Sequence, residues 1–274
     1  MGDTCMTPVL KILMIGDLFG KTGRELFARH IDALREQHGI DATIVNGENS
    51  ADGKGITPDI AAFFKKHNVA VVTTGNHVWD KKDIIPYMSE SDFVLRPANY
   101  PDVCPGAGMT FFICKGYKVA VINLMGRLFM PVQLDCPMLK AQELVQEARE
   151  QTPIILVDMH AETTYEKICV GYLLDGKVSG VVGTHTHVQT ADAQILPQGT
   201  AYLTDLGMGG SLNSMIGATK EPLLYKFLTQ MPVKHSPATD APYVLSGAVI
   251  TIDAQTGKAL AIETLYIVDK EPLF

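Results

Sequence analysis

Apolar residues first gather between Val9 and Ile15, a short run that ends at Gly16-Asp17 and reads as a buried strand. From Arg24 to Gln37 the spacing changes, with Leu26, Phe27, Ile31 and Leu34 on one face of a helix. Ala42 to Val45 is a second strand, and Pro58 opens a second helix that runs through His67. Val69 to Thr73 is a third strand, closed by Thr74-Gly75-Asn76-His77. This alternation predicts an α/β unit with parallel strands. Farther on, Thr110–Cys114 and Lys118–Asn123 flank Lys115-Gly116-Tyr117 in the manner of a hairpin. A helix is expected from about Met138 to Glu150, then the very apolar strand Ile154–Val157. Strand patterns at Ser179–Val182, Thr200–Leu203, Gly247–Ile252 and Ala259–Ile267 complete a second half expected to be mostly antiparallel. The prediction is a four-layer α-β-β-α sandwich, two mixed sheets face to face with helices outside.

No linker, repeat or charge block interrupts the 274 residues, so one domain spanning 1–274 is expected. With 46% hydrophobic residues the chain has ample material for a core. The net charge of −7, without a Lys/Arg cluster, argues against a duplex nucleic-acid partner. A small phosphorylated ligand can still be held if a metal supplies positive charge locally. The five cysteines, Cys5, Cys104, Cys114, Cys136 and Cys169, form no metal-ligand spacing and read as idle thiols of a reducing compartment. No signal-peptide layout and no apolar run near ~18 residues is evident, so a cytoplasmic location without a membrane partner is expected. A homo-oligomer is left open.

The chemistry lies where apolar runs end. Asp17 follows Ile-Leu-Met-Ile-Gly, Glu48 and Asn49 follow Thr-Ile-Val-Asn-Gly, and Asn76 and His77 follow Val-Val-Thr-Thr-Gly. His160 follows Ile-Leu-Val-Asp-Met, and His185 and His187 follow Val-Val-Gly-Thr. Turns at the carboxyl ends of parallel strands converge on one crevice. A glycine before four of these clusters allows a sharp turn and close approach to a ligand. A lone histidine at a strand end is more often structural, but five clusters of carboxylate, amide and imidazole are hard to explain by packing. Their mixed oxygen and nitrogen donors, without thiolate, suit manganese, iron or zinc.

In order and spacing, Gly16-Asp17, Gly47-Glu48-Asn49, Gly75-Asn76-His77, His160 and Gly183-Thr184-His185-Thr186-His187 resemble the motifs of calcineurin-like metallophosphoesterases. The resemblance covers nearly the whole chain. Two departures narrow it: Asp17-Leu18-Phe19 stands where Asp-x-His is usual, and Gly47-Glu48 where Gly-Asp is usual, with Asn49 beside it to replace the lost ligand. Both departures are those of the YmdB-type branch, described as cyclic-nucleotide phosphodiesterases. The resemblance implies two divalent or trivalent metal ions, iron or manganese ahead of zinc. Asp17, Glu48, Asn49 and His187 would hold one, and Glu48, Asn76, His160 and His185 the other, with Glu48 bridging. Two metals roughly 3.5–4 Å apart can share a hydroxide and clamp a phosphoryl group. His77 would be the catalytic general acid rather than a ligand. The implied substrate is a small phosphodiester, a 2′,3′- or 3′,5′-cyclic nucleotide.

Nearby residues carry weaker readings. Asp80, Asp158 and Glu162 read as partners of ligands or as solvated carboxylates. Arg127 is divided between a substrate phosphate and a structural ion pair, and Trp79 between packing and stacking on a base. His30, His38 and His67 read as surface residues of helices, and His235 has no assigned role. Two other functions compete. Gly16-Asp-Leu-Phe-Gly20-Lys21-Thr22 looks like a nucleotide phosphate loop, but only three residues separate its glycines where four are needed. A metal- or nucleotide-binding regulator with slow turnover would keep the same ligands.

Overall fold

The computed structural model of the chain describes residues 8–274, so Cys5 lies outside the described residues. The first part of the chain forms β1 (Val9–Ile15), β2 (Asp17–Leu18), α1 (Gly20–His38), β3 (Ala42–Asn46), α2 (Pro58–Lys66), β4 (Val71–Thr73) and α3 (Ile84–Glu90). The middle forms β5 (Met109–Cys114), β6 (Tyr117–Met125), α4 (Pro137–Arg149), β7 (Ile155–His160), α5 (Thr164–Leu174), β8 (Gly180–Thr184), β9 (Gln194–Ile195) and β10 (Ala201–Leu203). The last part forms β11 (Met208–Ser211), α6 (Lys220–Thr229), β12 (Tyr243–Asp253) and β13 (Ala259–Asp269).

These strands build two mixed sheets. In the first, β12 pairs antiparallel with β13 along its length, and on its other edge with β11 and then β1. Parallel pairing carries the sheet outward from β1 to β3 and β4, and from β11 to β2. The second sheet runs β5-β6-β7-β8-β10-β9, parallel from β6 through β10, with antiparallel edges at β5 and β9. The expected division into a parallel first half and an antiparallel second half is therefore wrong. The second half contains most of a parallel sheet, because α4 and α5 supply the crossovers that parallel neighbours require.

The layers follow from strand alternation. Leu10, Ile12 and Met14 of β1 face the second sheet, where they meet Val119, Val121, Leu156, Val182 and Leu203. Leu13 and Ile15 point the other way, onto Leu26, Phe27 and Ile31 of α1 and Phe64 of α2. On the far side, Ile122, Ile155 and Val157 pack against Ala141 and Val145 of α4 and Val170 and Leu174 of α5. The four-layer sandwich is thus as expected, and each such buried side chain contributes about 1.5–3 kcal/mol.

α1 begins at Gly20, four residues before the expected start at Arg24. Its first turn is buried through small residues: Thr22 Oγ1 donates to the Ala238 carbonyl, and a Cβ on Gly23 would lie 2.3 Å from the Gly209 oxygen. It ends at Gly39, held in the left-handed region at φ 63°. The architecture leaves the carboxyl ends of β1, β3 and β4 in one sheet facing those of β7 and β8 in the other.

Candidate metal centre

Every residue predicted as a ligand reaches this shared end of the two sheets. Glu48, Asn49, Asn76 and His77 lie in turns after β3 and β4, and His185 and His187 after β8. Asp17 and His160 do not sit in turns: Asp17 opens β2 and His160 is the last residue of β7. The first sheet contributes only oxygen donors, Asp17, Glu48, Asn49 and Asn76, and the second only the imidazoles His160, His185 and His187.

They fall into two groups. In one, His160 Nε2 lies 3.1 Å from Glu48 Oε1 and 3.1 Å from Asn76 Oδ1, and the His160 and His185 rings meet edge to face at 4.7 Å. Ligand atoms of Glu48, His160 and His185 all lie within 4.8 Å of one another. In the other, His187 Nε2 is 3.3 Å from Asn49 Oδ1 and 3.6 Å from Asp17 Oδ1. Backbone amides fix the carboxylates: His77 N donates to Glu48 Oε2 at 3.1 Å, and His185 N to Asp17 Oδ2 at 3.0 Å.

The partners behind these groups decide which atoms face inward. Thr184 Oγ1 donates to Asp158 Oδ1 at 2.7 Å, so it accepts from His160 Nδ1 at 2.9 Å and leaves Nε2 with a lone pair. His187 Nδ1 donates to the Ile216 carbonyl at 2.8 Å, which frees its Nε2 in the same way. Asn49 Nδ2 donates to the Gly53 carbonyl, so its Oδ1 is the atom turned to His187. Each group is therefore a convergence of acceptors, and Asp17 Oδ1 is buried without a hydrogen-bond partner. Positive charge, from a metal ion or from protons on the imidazoles, satisfies such an arrangement, and Glu48, His160 and His185 have the spacing of a metal site.

The electrostatics agree. Burial opposes charge on His187, but buried Asp17 and the Ile216 carbonyl push its pKa up to about 9. His160 is likewise raised against its burial, by Glu48, Asp17 and Asp158. Despite the burial that opposes ionisation, Asp17 and Glu48 are held below the usual carboxylate range by the facing imidazoles. His185 is pushed down to about 3 by burial and by the neighbouring His160 charge. Asp158, wholly buried, is pushed up to about 6 by that burial, against bonds from Thr73 and Thr184.

Two features behind the ligands carry no sequence signal. Lys167 of α5 and Asp205 form a buried ion pair at 2.7 Å, 1% and 0% exposed. Asp205 Oδ2 also accepts from Thr186 N at 3.2 Å and Thr186 Oγ1 at 2.6 Å, the residue between the paired histidines. His185 and His187 both have positive φ, 96° and 62°, conformations that need such anchoring. The glycines before the ligands are not at positive φ, so close approach rather than turning explains them. A Cβ on Gly75 would lie 2.2 Å from His160 Nε2 and 2.5 Å from Glu48 Oε2.

The surroundings settle the weaker readings. His77 Nδ1 donates to Asp80 Oδ2 at 2.9 Å, and Glu162 Oε2 sits 3.1 Å from His185 Nε2, so both carboxylates hold imidazoles. Arg127 is exposed, lines a separate hollow and makes no ion pair among the described residues, so neither of its readings is supported. Trp79 packs edge to face on Tyr100 against the core. His30, His38 and His67 are half-buried rather than surface residues, with His30 bonded to Asp269 and His67 against Phe63. Lys21 lies over the Phe274 ring, and buried Asp17 faces His187, which leaves the phosphate-loop reading without a cradle. The four described cysteines are free thiols. No described helix is long and apolar enough to cross a membrane.

Glu48, Asn49, His77, His185 and His187 open onto a cavity of about 660 Å³. Its remaining lining includes Phe19, Lys54, Ile216, Phe227 and the unassigned His235. Residues 13–265 match the sequence profile of the YmdB-like proteins. The chain belongs to the YmdB-like family. A Bacillus subtilis protein named 2′,3′-cyclic-nucleotide 2′-phosphodiesterase is 45% identical over 97% of this chain and 100% of its own length. A crystal structure of a phosphatase from Mycoplasma pneumoniae superposes with a TM-score of 0.91 at 32% identity, covering 97% of this chain and 96% of that one. A hypothetical protein from Thermus thermophilus superposes with a TM-score of 0.86 at 36% identity, covering 95% of this chain and 100% of that one.

Proposed function

We propose that this YmdB-like protein is a metal-dependent phosphodiesterase that hydrolyses a 2′,3′-cyclic nucleotide, the substrate class in the name of its 45% identical Bacillus relative. The observation that carries the reading is the pair of acceptor groups whose members Glu48, Asn49, His185 and His187 open, together with His77, on one cavity. Asp17, Glu48, Asn49 and His187 would hold one cation, and Glu48, Asn76, His160 and His185 the second. When bound, the cations supply Lewis acidity toward water and toward the phosphoryl oxygens.

The chain's own residues do the rest. Glu48 is held by the His77 amide at 3.1 Å, so its carboxylate is oriented before any ligand arrives. Asp80 accepts the Nδ1 proton of His77, so the transferable proton of the imidazolium is on Nε2. Water adds to phosphorus, one ester P–O bond breaks, and His77 protonates the departing ribose oxygen. The product is a nucleoside monophosphate, and the second ester bond is left intact.

The test uses metal-replete protein and two substrates. Two metals per chain and turnover of a 2′,3′-cyclic nucleotide are expected. His77→Ala should lose about 10²–10⁴-fold on the nucleotide and far less on bis-p-nitrophenyl phosphate, whose leaving group needs no proton. Turnover of neither substrate by the loaded wild type would overturn the reading. Loss of metal from His77→Ala would make His77 a ligand instead.

A further inference from the structure

The cavity is lined by two chemically different kinds of side chain, and the candidate ligands account for only one. The other is apolar, formed by Phe19, Met215, Ile216, Leu223 and Phe227. Two of these belong to a rigid turn: Gly217 N donates to Ser214 Oγ at 2.8 Å, and a Cβ on Gly217 would lie 2.5 Å from the Phe19 ring. The same turn supplies the Ile216 carbonyl that pins His187, so wall and ligand are built as one piece. Leu223 and Phe227 come from α6 and are one helical turn apart, hence on one face.

α6 is unusual in that none of its residues is buried. Phe227 is 69% exposed and stacks on no other described aromatic ring, although it lines the cavity that holds the ligands. An apolar wall bearing an unpartnered aromatic, continuous with a phosphate-binding end, matches a phosphorylated molecule with a flat heterocycle at its far end. The volume of about 660 Å³ is within the range for such a ligand.

Building on the phosphodiesterase reading, we infer that this wall is a nucleobase subsite in which the base lies against Phe227 and Leu223 while the phosphate sits at the metal centre. Stacking accepts any base, since every base has a π-face, so the subsite selects nucleotides over base-free phosphodiesters rather than one base over another.

The experiment compares adenosine 2′,3′-cyclic phosphate with ribose 2′,3′-cyclic phosphate, which lacks a base, on metal-replete wild type, Phe227→Ala and Phe227→Tyr. Phe227→Ala should lose about 5- to 100-fold in kcat/KM on the nucleotide, through KM, and stay within about twofold on the base-free diester. Phe227→Tyr should retain the nucleotide preference. Calorimetric binding of adenosine 3′-monophosphate against ribose 3-phosphate reads the same discrimination without turnover. If wild type hydrolyses neither diester, the phosphodiesterase reading fails while calorimetry still tests the subsite. Equal losses on both ligands, no loss, or an effect of Phe227→Ala confined to sedimentation of a self-associated form would overturn the inference.

Discussion

Replacing Lys167 with methionine tests whether the buried pair behind the paired histidines sets their geometry. Methionine keeps most of the side-chain volume and removes the ammonium that lies 2.7 Å from Asp205 Oδ2 and 3.3 Å from Thr186 Oγ1. Removing one partner of a buried pair usually costs about 3–5 kcal/mol, because the other charge is left uncompensated. Asp205 keeps donors from Thr186 N, Thr186 Oγ1 and Gly207 N, so the lower end, about 3 kcal/mol, is expected. The stability loss is read from urea unfolding of metal-free protein. Metal titration reads the second consequence: with the turn at Thr186 loosened, affinity should fall about 10- to 100-fold, the usual cost of losing a group that orients a ligand. Thr186→Val, which leaves the ion pair in place and removes only the hydroxyl, should weaken metal binding with a smaller stability loss. If Lys167→Met unfolds like wild type, the uncompensated charge has been misjudged. If both variants bind metal like wild type, the pair supports the fold and not the site.

Three further outcomes are expected. Glu48→Gln should lose more metal than Asn49→Ala by elemental analysis, because under the proposed assignment it removes a negative charge shared by two cations; equal occupancy would make Glu48 a terminal ligand. Lys21→Ala should leave phosphodiester turnover within a few fold, since Lys21 rests over Phe274 away from the cavity; abolished turnover with metal intact would refute the assignment. Asp269 accepts from Arg29, His30 and the Glu271 amide, which lower its pKa against partial burial. A depressed carboxyl stabilises the fold above its unfolded pKa and loses that contribution as pH falls through its folded one, so Asp269→Asn should cost about 1 kcal/mol at neutral pH and begin to converge with wild type only as pH falls below about 4.

The strands that end at ligands are legible because a run such as Ile-Leu-Met-Ile followed by Gly-Asp has only one reading, an apolar strand stopped by a polar turn. Sequence pattern ends this strand three residues early, at Val157, since Asp158 and His160 are polar residues inside a buried strand and pattern alone pushes them into a turn. α5 escapes the reading although Thr163 caps it by accepting from Glu166 N, a Thr-x-x-Glu signature present in the sequence. Lys167 is invisible for a different reason: a lysine on a helix looks solvated until the strand it covers is known, and here Gly183 makes room for its stem. Sheet membership is the least legible property. Pairing β12 with β1 joins residues some 240 positions apart, which no local pattern can report.

The division of donors between the sheets has a thermal consequence. Oxygen-seeking ions such as calcium or magnesium find their preferred partners on the first sheet alone and gain little from the imidazoles of the second. Manganese, iron or zinc take both kinds and so tie one sheet to the other across the interface at Leu10, Ile12 and Met14. Occupancy by the second class should raise the melting temperature of the whole sandwich, whereas the first class should leave it near that of chelated protein. The sandwich would then act as a discriminating clamp, in which heat resistance reports which element is bound before any substrate is added.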